Sequence, residues 1–353
     1  MEVLQIFQFL PALISFLLTF AGIKIILKIF PKLGLLDKPG EYGLARKPMP
    51  YSAGIIFFIV FLICTLIFVD ITKPIAGVIF AGLLVTIVSF CDDKLRLSPV
   101  LRLIVQVLAG ILVVIAGVKI QVINTPFGIP LFLDSFQLNI FGETIWILSA
   151  IIIICWLILM MNVMNWLDGI PGLSSGISAI AQISIFILST QQFHVVDQSA
   201  IITISSVLAA SCLAFLLFDF YPPKILMGDS GSMFLGFMLG SLSIIAGGKF
   251  ATALLIMGFP VLDAFWVILK RILSGKSPFK GDFSHFHHRL LRVGLSERGA
   301  LIFNYVTCAV FAAIALLLNS TFQKFIAFLA VFLIISVVGV ITALLTKSQK
   351  EVM

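Results

Sequence analysis

The chain has 353 residues, of which 61% are hydrophobic and 11% are charged, and its formal net charge is +7. A soluble globular domain carries roughly 25% charged residues, so this composition excludes a soluble protein and a soluble basic face for nucleic acid. Several apolar runs reach the roughly 20 residues that a membrane-spanning helix needs. They lack the alternation of a transmembrane β-barrel, which leaves an all-α polytopic membrane protein.

The apolar runs predict eleven transmembrane helices in a single membrane domain, residues 1–353. No basic stretch precedes the first run, whereas Lys24, Lys28 and Lys32 follow it, so we predict an uncleaved first helix with the N-terminus outside. The predicted spans are 5–29, 51–69, 74–91, 99–117, 144–161, 173–190, 200–219, 232–247, 249–270, 299–318 and 325–345.

This topology distributes the basic residues unevenly. Only Lys73, Lys119, Lys249 and Lys324 fall outside, which leaves 19 of the 23 lysines and arginines inside or at inner helix ends. Such a bias follows the positive-inside rule and predicts a multi-pass protein of the inner (plasma) membrane whose inner loops face the cytoplasm.

One outer segment, residues 119–143, differs from the other connections. It alternates apolar and polar residues around a Pro/Gly turn, which predicts a short external hairpin. The inner segment 271–298 is the other long connection, and it contains three of the four histidines of the chain.

The unusual polar residues gather in five predicted inner loops. In chain order these loops carry the motifs DKP…RKPMP, FCDDK, NVMNWLDG, MGDSGS and HFHHRL. Each has an ordinary structural explanation, because basic residues can anchor topology and Asp168 or Asp229 can cap a helix. Asn162, Asn165 and Asp168 are spaced by three, so on a helix they would share one broad side.

Taken together, the loops favour a shared site. Asp92, Asp93, Asp168 and Asp229 all lie at predicted inner helix ends, where converging carboxylates repel one another unless a cation neutralises them. Mg²⁺ is bound by a few carboxylates together with substrate phosphates, and nearby Lys, Arg and His side chains suit a polyanionic substrate. The pattern predicts phosphoryl transfer from a soluble phosphorylated donor to a lipid acceptor.

With these five motifs in this order, the sequence resembles the polyprenyl-phosphate N-acetylhexosamine-1-phosphate transferases over essentially its whole length. The same family includes the phospho-MurNAc-pentapeptide translocases, which typically carry three adjacent histidines where Phe286 interrupts the run here. The resemblance therefore implies a UDP-N-acetylglucosamine-type donor and a polyprenyl (undecaprenyl) phosphate acceptor, with UMP released as cell-envelope glycan synthesis starts. It also implies Mg²⁺, or Mn²⁺ in its place, and is compatible with a homodimer.

The resemblance also implies roles for individual residues. It assigns catalysis to Asp92, Asp93, Asp168 and His287, metal binding to Asp229 and Asn165, and substrate binding to Lys47, Asn162, His285, His288 and Arg289. Within this set, Asp92 is a base or positions the lipid phosphate, and Asp93 lies on the metal or substrate.

Two alternatives stay open. The third family motif commonly reads D-G-x-D-G-L, whereas Pro171 replaces its second acid here, so UDP-MurNAc-pentapeptide remains an alternative donor. An ion-coupled transporter is the competing class, because carboxylates within membrane helices mark ion pathways. Asp263 is the one deeply placed acid in the predicted spans. A structural or receptor protein would leave the five polar loops unexplained.

Overall fold

The computed structural model describes residues 2–42, 46–140, 142–191, 197–247, 250–273, 275, 286–318, 320–333 and 337. Two compact units divide the chain. The first comprises residues 1–123 and 131–249, and the second comprises residues 124–130 and 250–353.

The first unit contains eight α-helices. They are α1 (Glu2–Ile29), α2 (Ile55–Phe68), α3 (Lys73–Leu95), α4 (Pro99–Ile115), α5 (Ile147–Leu167), α6 (Leu173–Thr190), α7 (Ser199–Asp219) and α8 (Asp229–Ile245). Helix α8 packs against α3 and α5, and α7 packs against α1 and α6. Every residue of α8 from Ser230 to Ile244 is buried, as expected for a helix that is apolar on all sides.

Glycines bring α8 close to α5. A Cβ atom at Gly236 would lie 2.7 Å from the Cα atom of Met161, and one at Gly240 would lie 2.9 Å from the side chain of Leu157. This spacing of small residues is how membrane helices allow two backbones to approach each other. It holds the end of α5 beside the start of α8.

The segment from 119 to 143 contains three short strands, β1 (Val122–Asn124), β2 (Pro130–Phe132) and β3 (Gln137–Ile140). A fourth strand, β4 (Glu143–Trp146), begins at the last residue of this segment. Strands β3 and β4 pair antiparallel, with Gln137 opposite Trp146 and Ile140 opposite Glu143. Because β4 occupies residues 143–146, α5 starts three residues later than the predicted span and continues to Leu167. Asn162 and Asn165 therefore lie in the last turns of a helix.

The second unit contains α9 (Phe250–Ile256), α10 (Gly258–Leu273), α11 (Phe286–Arg292), α12 (Glu297–Leu317) and α13 (Thr321–Leu333). The predicted span 249–270 is thus two helices. Pro260 has no N–H group to donate to the carbonyl of Ile256, and its ring crowds that carbonyl. The chain turns at Met257, just before this proline.

Six helices in the described part of the chain are long and apolar enough to cross a membrane. They are residues 9–29 of α1 together with α3, α5, α6, α7 and α12. Four shorter apolar helices, α2, α4, α8 and α13, accompany them. The prediction of an all-α protein with several membrane-length helices is confirmed.

Candidate active site

Six helix ends meet at one end of the first unit. Asp92 and Asp93 end α3, Arg102 lies in the first turn of α4, Asn165 ends α5, and Asp229 starts α8. The start of α6 and the end of α7 join them through the hydrogen bonds of Ser174, Ser175 and Asp219. Consecutive helices alternate in direction, so motifs that are far apart in sequence share one site.

The loop before α2 is fixed to this site by backbone hydrogen bonds. The Tyr51 N–H donates to the Leu35 carbonyl at 3.1 Å, and the Leu226 N–H donates to the Pro50 carbonyl at 2.9 Å. The Ala53 N–H donates in turn to the Leu226 carbonyl at 3.1 Å. These bonds place Tyr51 and its neighbours against the chain that leads into α8.

The carboxylate of Asp93 caps the N-terminus of α8. Its Oδ1 accepts a hydrogen bond from the Asp229 N–H at 2.8 Å, and its Oδ2 accepts one from the Ser230 N–H at 3.3 Å. Gly228 has a φ of 76° and supplies no side-chain cap, so the carboxylate satisfies helix N–H groups that would otherwise lack partners. Asp93 therefore holds Asp229 in place, and its predicted role on the metal or substrate stays a prediction.

Arg102 joins two of the carboxylates. Its Nε lies 2.5 Å from Asp92 Oδ2, its Nη2 donates to Asp92 Oδ1 at 3.1 Å, and its Nη1 donates to Asp229 Oδ2 at 3.1 Å. Asp92 Oδ1 also accepts from the Leu97 N–H at 2.6 Å. The Asp92 side chain is only 3% exposed, and a buried charge of this kind needs such partners.

Asn165 and Asn162 have different surroundings. The Asn165 amide donates to Asp229 Oδ1 at 2.8 Å and to the Ser232 hydroxyl at 3.2 Å. The Asn162 amide instead donates to Gln106 Oε1 on α4 at 3.0 Å. Asn165 therefore lies beside the carboxylates, whereas Asn162 ties α5 to α4.

Asp168 follows directly after α5 and accepts a hydrogen bond from the Ser174 hydroxyl at 2.7 Å. Burial raises the pKa of its carboxyl group well above the usual range, and the charge of Asp219 raises it further. The charges of Asp229 and Asp93 act in the same direction. A cation bound among these groups would lower this pKa again.

The hydroxyl group of Tyr51 lies close enough to three of the acids for their charges to affect its pKa. Burial and the charges of Asp93, Asp229 and Asp168 raise the pKa of its hydroxyl, in that order. Its hydroxyl also donates a hydrogen bond to Asp93. Three carboxylates from three chain segments thus act on one neutral donor.

A small, largely apolar cavity adjoins the Asp92–Arg102 pair. Its remaining lining comes from α3, α4 and α8 and consists of Val85, Val88, Ser89, Val105, Gln106 and Met233. A charged pair beside mainly aliphatic side chains suits a phosphorylated hydrocarbon.

Five further residues were predicted to belong to the site: Lys47, His285, His287, His288 and Arg289. Lys47 is exposed in the loop before α2. His285 falls outside the described residues, and the structure describes only the backbone of His287. His288 and Arg289 lie on α11 in the second unit.

Within the second unit, Asp263 of α10 anchors α11. Both of its carboxylate oxygens accept the Phe286 N–H at 3.0 Å, and the Arg289 Nη2 donates to Oδ1 at 3.1 Å. The buried Phe286 ring packs edge-on against Phe259, with ring centroids 4.8 Å apart. The deeply placed acid therefore holds the histidine-containing segment.

Sequence reasoning missed Tyr51, Arg102 and Asp219. Arg102 could have been predicted from the sequence, because a cation in the first turn of a helix opposes the helix dipole and needs a local anionic partner. Asp219 could also have been predicted, since it ends an apolar run ten residues before Asp229. Tyr51 could not have been predicted from the sequence, because only its contacts in the folded protein distinguish it.

Comparison with known proteins places these features in a family. A sequence model of glycosyl transferase family 4 matches residues 75–247. The chain is 30% identical to the Bacillus subtilis (strain 168) "Probable undecaprenyl-phosphate N-acetylglucosaminyl 1-phosphate transferase", over 92% of this chain and 89% of that protein.

Two further relatives agree with this match. The chain is 28% identical to the Escherichia coli K12 undecaprenyl-phosphate alpha-N-acetylglucosaminyl 1-phosphate transferase, over 82% of this chain and 78% of that protein. It is 30% identical to a decaprenyl-phosphate N-acetylglucosaminephosphotransferase of Mycobacterium leprae, over 67% of this chain and 62% of that protein.

Proposed function

The chain belongs to glycosyl transferase family 4, and we propose that it transfers N-acetylhexosamine 1-phosphate from a UDP-sugar to a polyprenyl phosphate. An oxygen of the lipid phosphate forms a bond to the sugar-linked phosphorus. The bond from that phosphorus to the bridging oxygen of UMP breaks, and UMP leaves with the electron pair. The products are polyprenyl diphosphate-linked HexNAc and UMP.

The observation that carries this proposal is the Arg102 cluster in the lining of the apolar cavity. The guanidinium group contacts Asp92 through Nε and Nη2 and Asp229 through Nη1. One further N–H on each of Nη1 and Nη2 can donate to phosphate oxygens. The aliphatic walls of the cavity suit the first isoprene units of the acceptor. The Arg102 cluster is thus suited to the reacting phosphate, and the apolar side chains beside it are suited to the start of the lipid chain.

Asp92 acts in this scheme by positioning. Its Oδ1 accepts from Arg102 Nη2 and from the Leu97 N–H, and its Oδ2 is in ionic contact with Arg102 Nε, so it fixes the guanidinium group that receives the phosphate. The second pKa of a phosphate monoester is about 6, so the acceptor is mainly dianionic at pH 7. Strong base catalysis is therefore unnecessary, and orientation accounts for most of the catalysis.

The donor set at Asp229 fits Mg²⁺. A magnesium ion keeps several waters and takes one or two carboxylates together with substrate phosphates, so Asp229 and Asn165, which are in hydrogen-bond contact, are sufficient protein ligands. When bound, the ion would supply charge neutralisation at the diphosphate.

Two observations favour this assignment over its alternatives. The three relatives compared above carry names that specify N-acetylglucosamine, which favours that donor over UDP-MurNAc-pentapeptide. Asp263, the acid on which a transporter depends, is engaged by Phe286 and Arg289. Its burial is explained by anchoring α11 without an ion pathway.

For the membrane topology, we propose eleven crossings with the N-terminus outside, in which α9 and α10 together form one crossing. The active site then lies on the cytoplasmic face of the plasma membrane. The bias of basic residues toward inner loops supports this orientation, and it places the site where soluble UDP-sugars are available.

Cysteine labelling tests this topology. In a variant without native cysteines, Ser135→Cys in the 119–143 segment should react with a membrane-impermeant maleimide added to intact cells. Ser277→Cys in the 271–298 loop should react only after permeabilisation. Labelling of both positions from the same side would contradict the helix count and the orientation together.

The reaction itself is tested with the detergent-purified protein, undecaprenyl phosphate and a panel of UDP-sugars, with UMP release as the readout. We expect UDP-GlcNAc to be used far better than UDP-MurNAc-pentapeptide or UDP-glucose. The absence of UMP release from every sugar nucleotide, with a monodisperse protein, would reject the proposed function.

A further inference from the structure

Helices α6 and α8 begin in the same unusual way. Each has a glycine at its N-cap, Gly172 with φ 88° and Gly228 with φ 76°, and neither glycine can supply a side-chain cap. Each helix instead receives a carboxylate from the end of another helix, Asp219 of α7 for α6 and Asp93 of α3 for α8. The first turns of α6 and α8 are therefore both held by a carboxylate from another helix.

The contacts of Asp219 lead directly to the active site. Its Oδ2 accepts from the Ser175 hydroxyl at 2.8 Å, and its carboxylate also accepts from the Gly172 N–H. The preceding residue, Ser174, donates to Asp168 at 2.7 Å. Adjacent serines in the first turn of α6 thus hold two acids, one from α7 and one from the candidate active site.

A cap alone does not explain an acid at this position. Asp219 is 1% exposed, and the groups that donate to it, Ser175 and Gly172, are both neutral. Burying a carboxylate is costly, whereas Ser or Asn caps a helix without that cost. The chain from Asp168 to Gly172 contains two glycines, so its conformation depends on how its ends are held.

We propose that Asp219 is a positioning residue for the transfer reaction, which fixes the start of α6 so that Ser174 directs Asp168 toward the donor nucleotide. This inference rests on the proposed function. The loop after Asp168 has Pro171 where the third family motif commonly has a second acid. In the proposed role, Asp219 provides this loop with a carboxylate from α7.

The test separates donor binding from stability. We expect Asp219→Ala to raise KM for UDP-GlcNAc about tenfold, since a small displacement of a positioned group is sufficient for such a change, with KM for undecaprenyl phosphate within about twofold of wild type. Asp219→Asn keeps an acceptor for Ser175 and should recover part of the loss. In an Asp168→Asn background, Asp219→Ala should raise the donor KM no further, because the two residues act through one contact.

Asp197→Ala is the matched control. Asp197 is an exposed acid that caps α7 through the Ser199 N–H at 2.9 Å, at the opposite end of the helix from Asp219, roughly 30 Å away at 1.5 Å per residue. Its removal should leave both KM values unchanged.

Three outcomes are distinguishable. Wild-type KM values in a folded Asp219→Ala protein, or equal rises in both KM values, would reject the positioning role while the proposed function stands. If the alanine variant does not fold, Asp219→Asn decides alone, because it must raise the donor KM selectively. If the wild-type protein releases no UMP, the proposed function fails first.

Discussion

Asp229→Asn is expected to lower kcat by about a thousandfold, because preorganised charge at a phosphoryl group contributes several kcal/mol to the barrier. The substitution preserves the shape of the side chain and removes its negative charge. Asp229 Oδ2 then loses its ionic contact with Arg102, and the site loses the carboxylate that we assign to Mg²⁺. Apparent Mg²⁺ affinity should fall together with turnover.

Folding should survive this change. The cap of α8 uses the backbone N–H of Asp229 and the carboxylate of Asp93, both of which remain in the variant. Asp70→Asn provides the matched control, since it makes the same substitution at an exposed acid just before α3. Normal turnover of a monodisperse Asp229→Asn protein at limiting Mg²⁺ would show that Asp229 only starts a helix.

Asp92→Asn is expected to lower kcat by about a hundredfold with little change in the melting temperature. An acid that merely ended α3 in solvent would contribute only about 0.3–1 kcal/mol. Asp92 is instead buried and holds Arg102 with both oxygens, so its loss frees the guanidinium group that we assign to the acceptor phosphate. Near-normal kcat at saturating Mg²⁺ and saturating substrates would contradict this role.

Arg102 supplies the complementary variants. Arg102→Gln should raise KM for undecaprenyl phosphate and lower kcat, whereas Arg102→Lys should recover only part of the activity because a single ammonium group cannot make the forked contacts. The Asp92→Asn/Arg102→Gln double variant should be no worse than the more damaged single variant, since the two residues act as a unit. Additive losses would show that they act separately.

Hydropathy predicts most of the helices, because a membrane helix must be apolar along its whole length. It places the end of α5 too early, since Asn162 and Asn165 are polar, although α5 continues through them against buried α8. It also joins α9 to α10, because a hydropathy average does not register the backbone N–H that Pro260 lacks. The errors therefore fall where hydrogen bonding, and not polarity, decides the helix boundary.

The acids of the site could be predicted from their common position at inner helix ends, and the structure brings Asp92, Asp93, Asp168 and Asp229 together. Their partners could not be predicted in the same way. The hydrogen bond from Arg102 to Asp229 joins residues 127 apart, and that from the Asp229 N–H to Asp93 joins residues 136 apart. Such contacts depend on the packing of α3, α4 and α8, which spacing in the sequence does not specify.

The most direct test follows the phosphate that links the sugar to the nucleotide. With UDP-GlcNAc labelled at this phosphate and undecaprenyl phosphate as acceptor, we expect the label to enter the lipid product in a 1:1 ratio with unlabelled UMP. This result requires the sugar and its phosphate to move together. Recovery of the label in UDP, with the sugar alone on the lipid, would contradict the account.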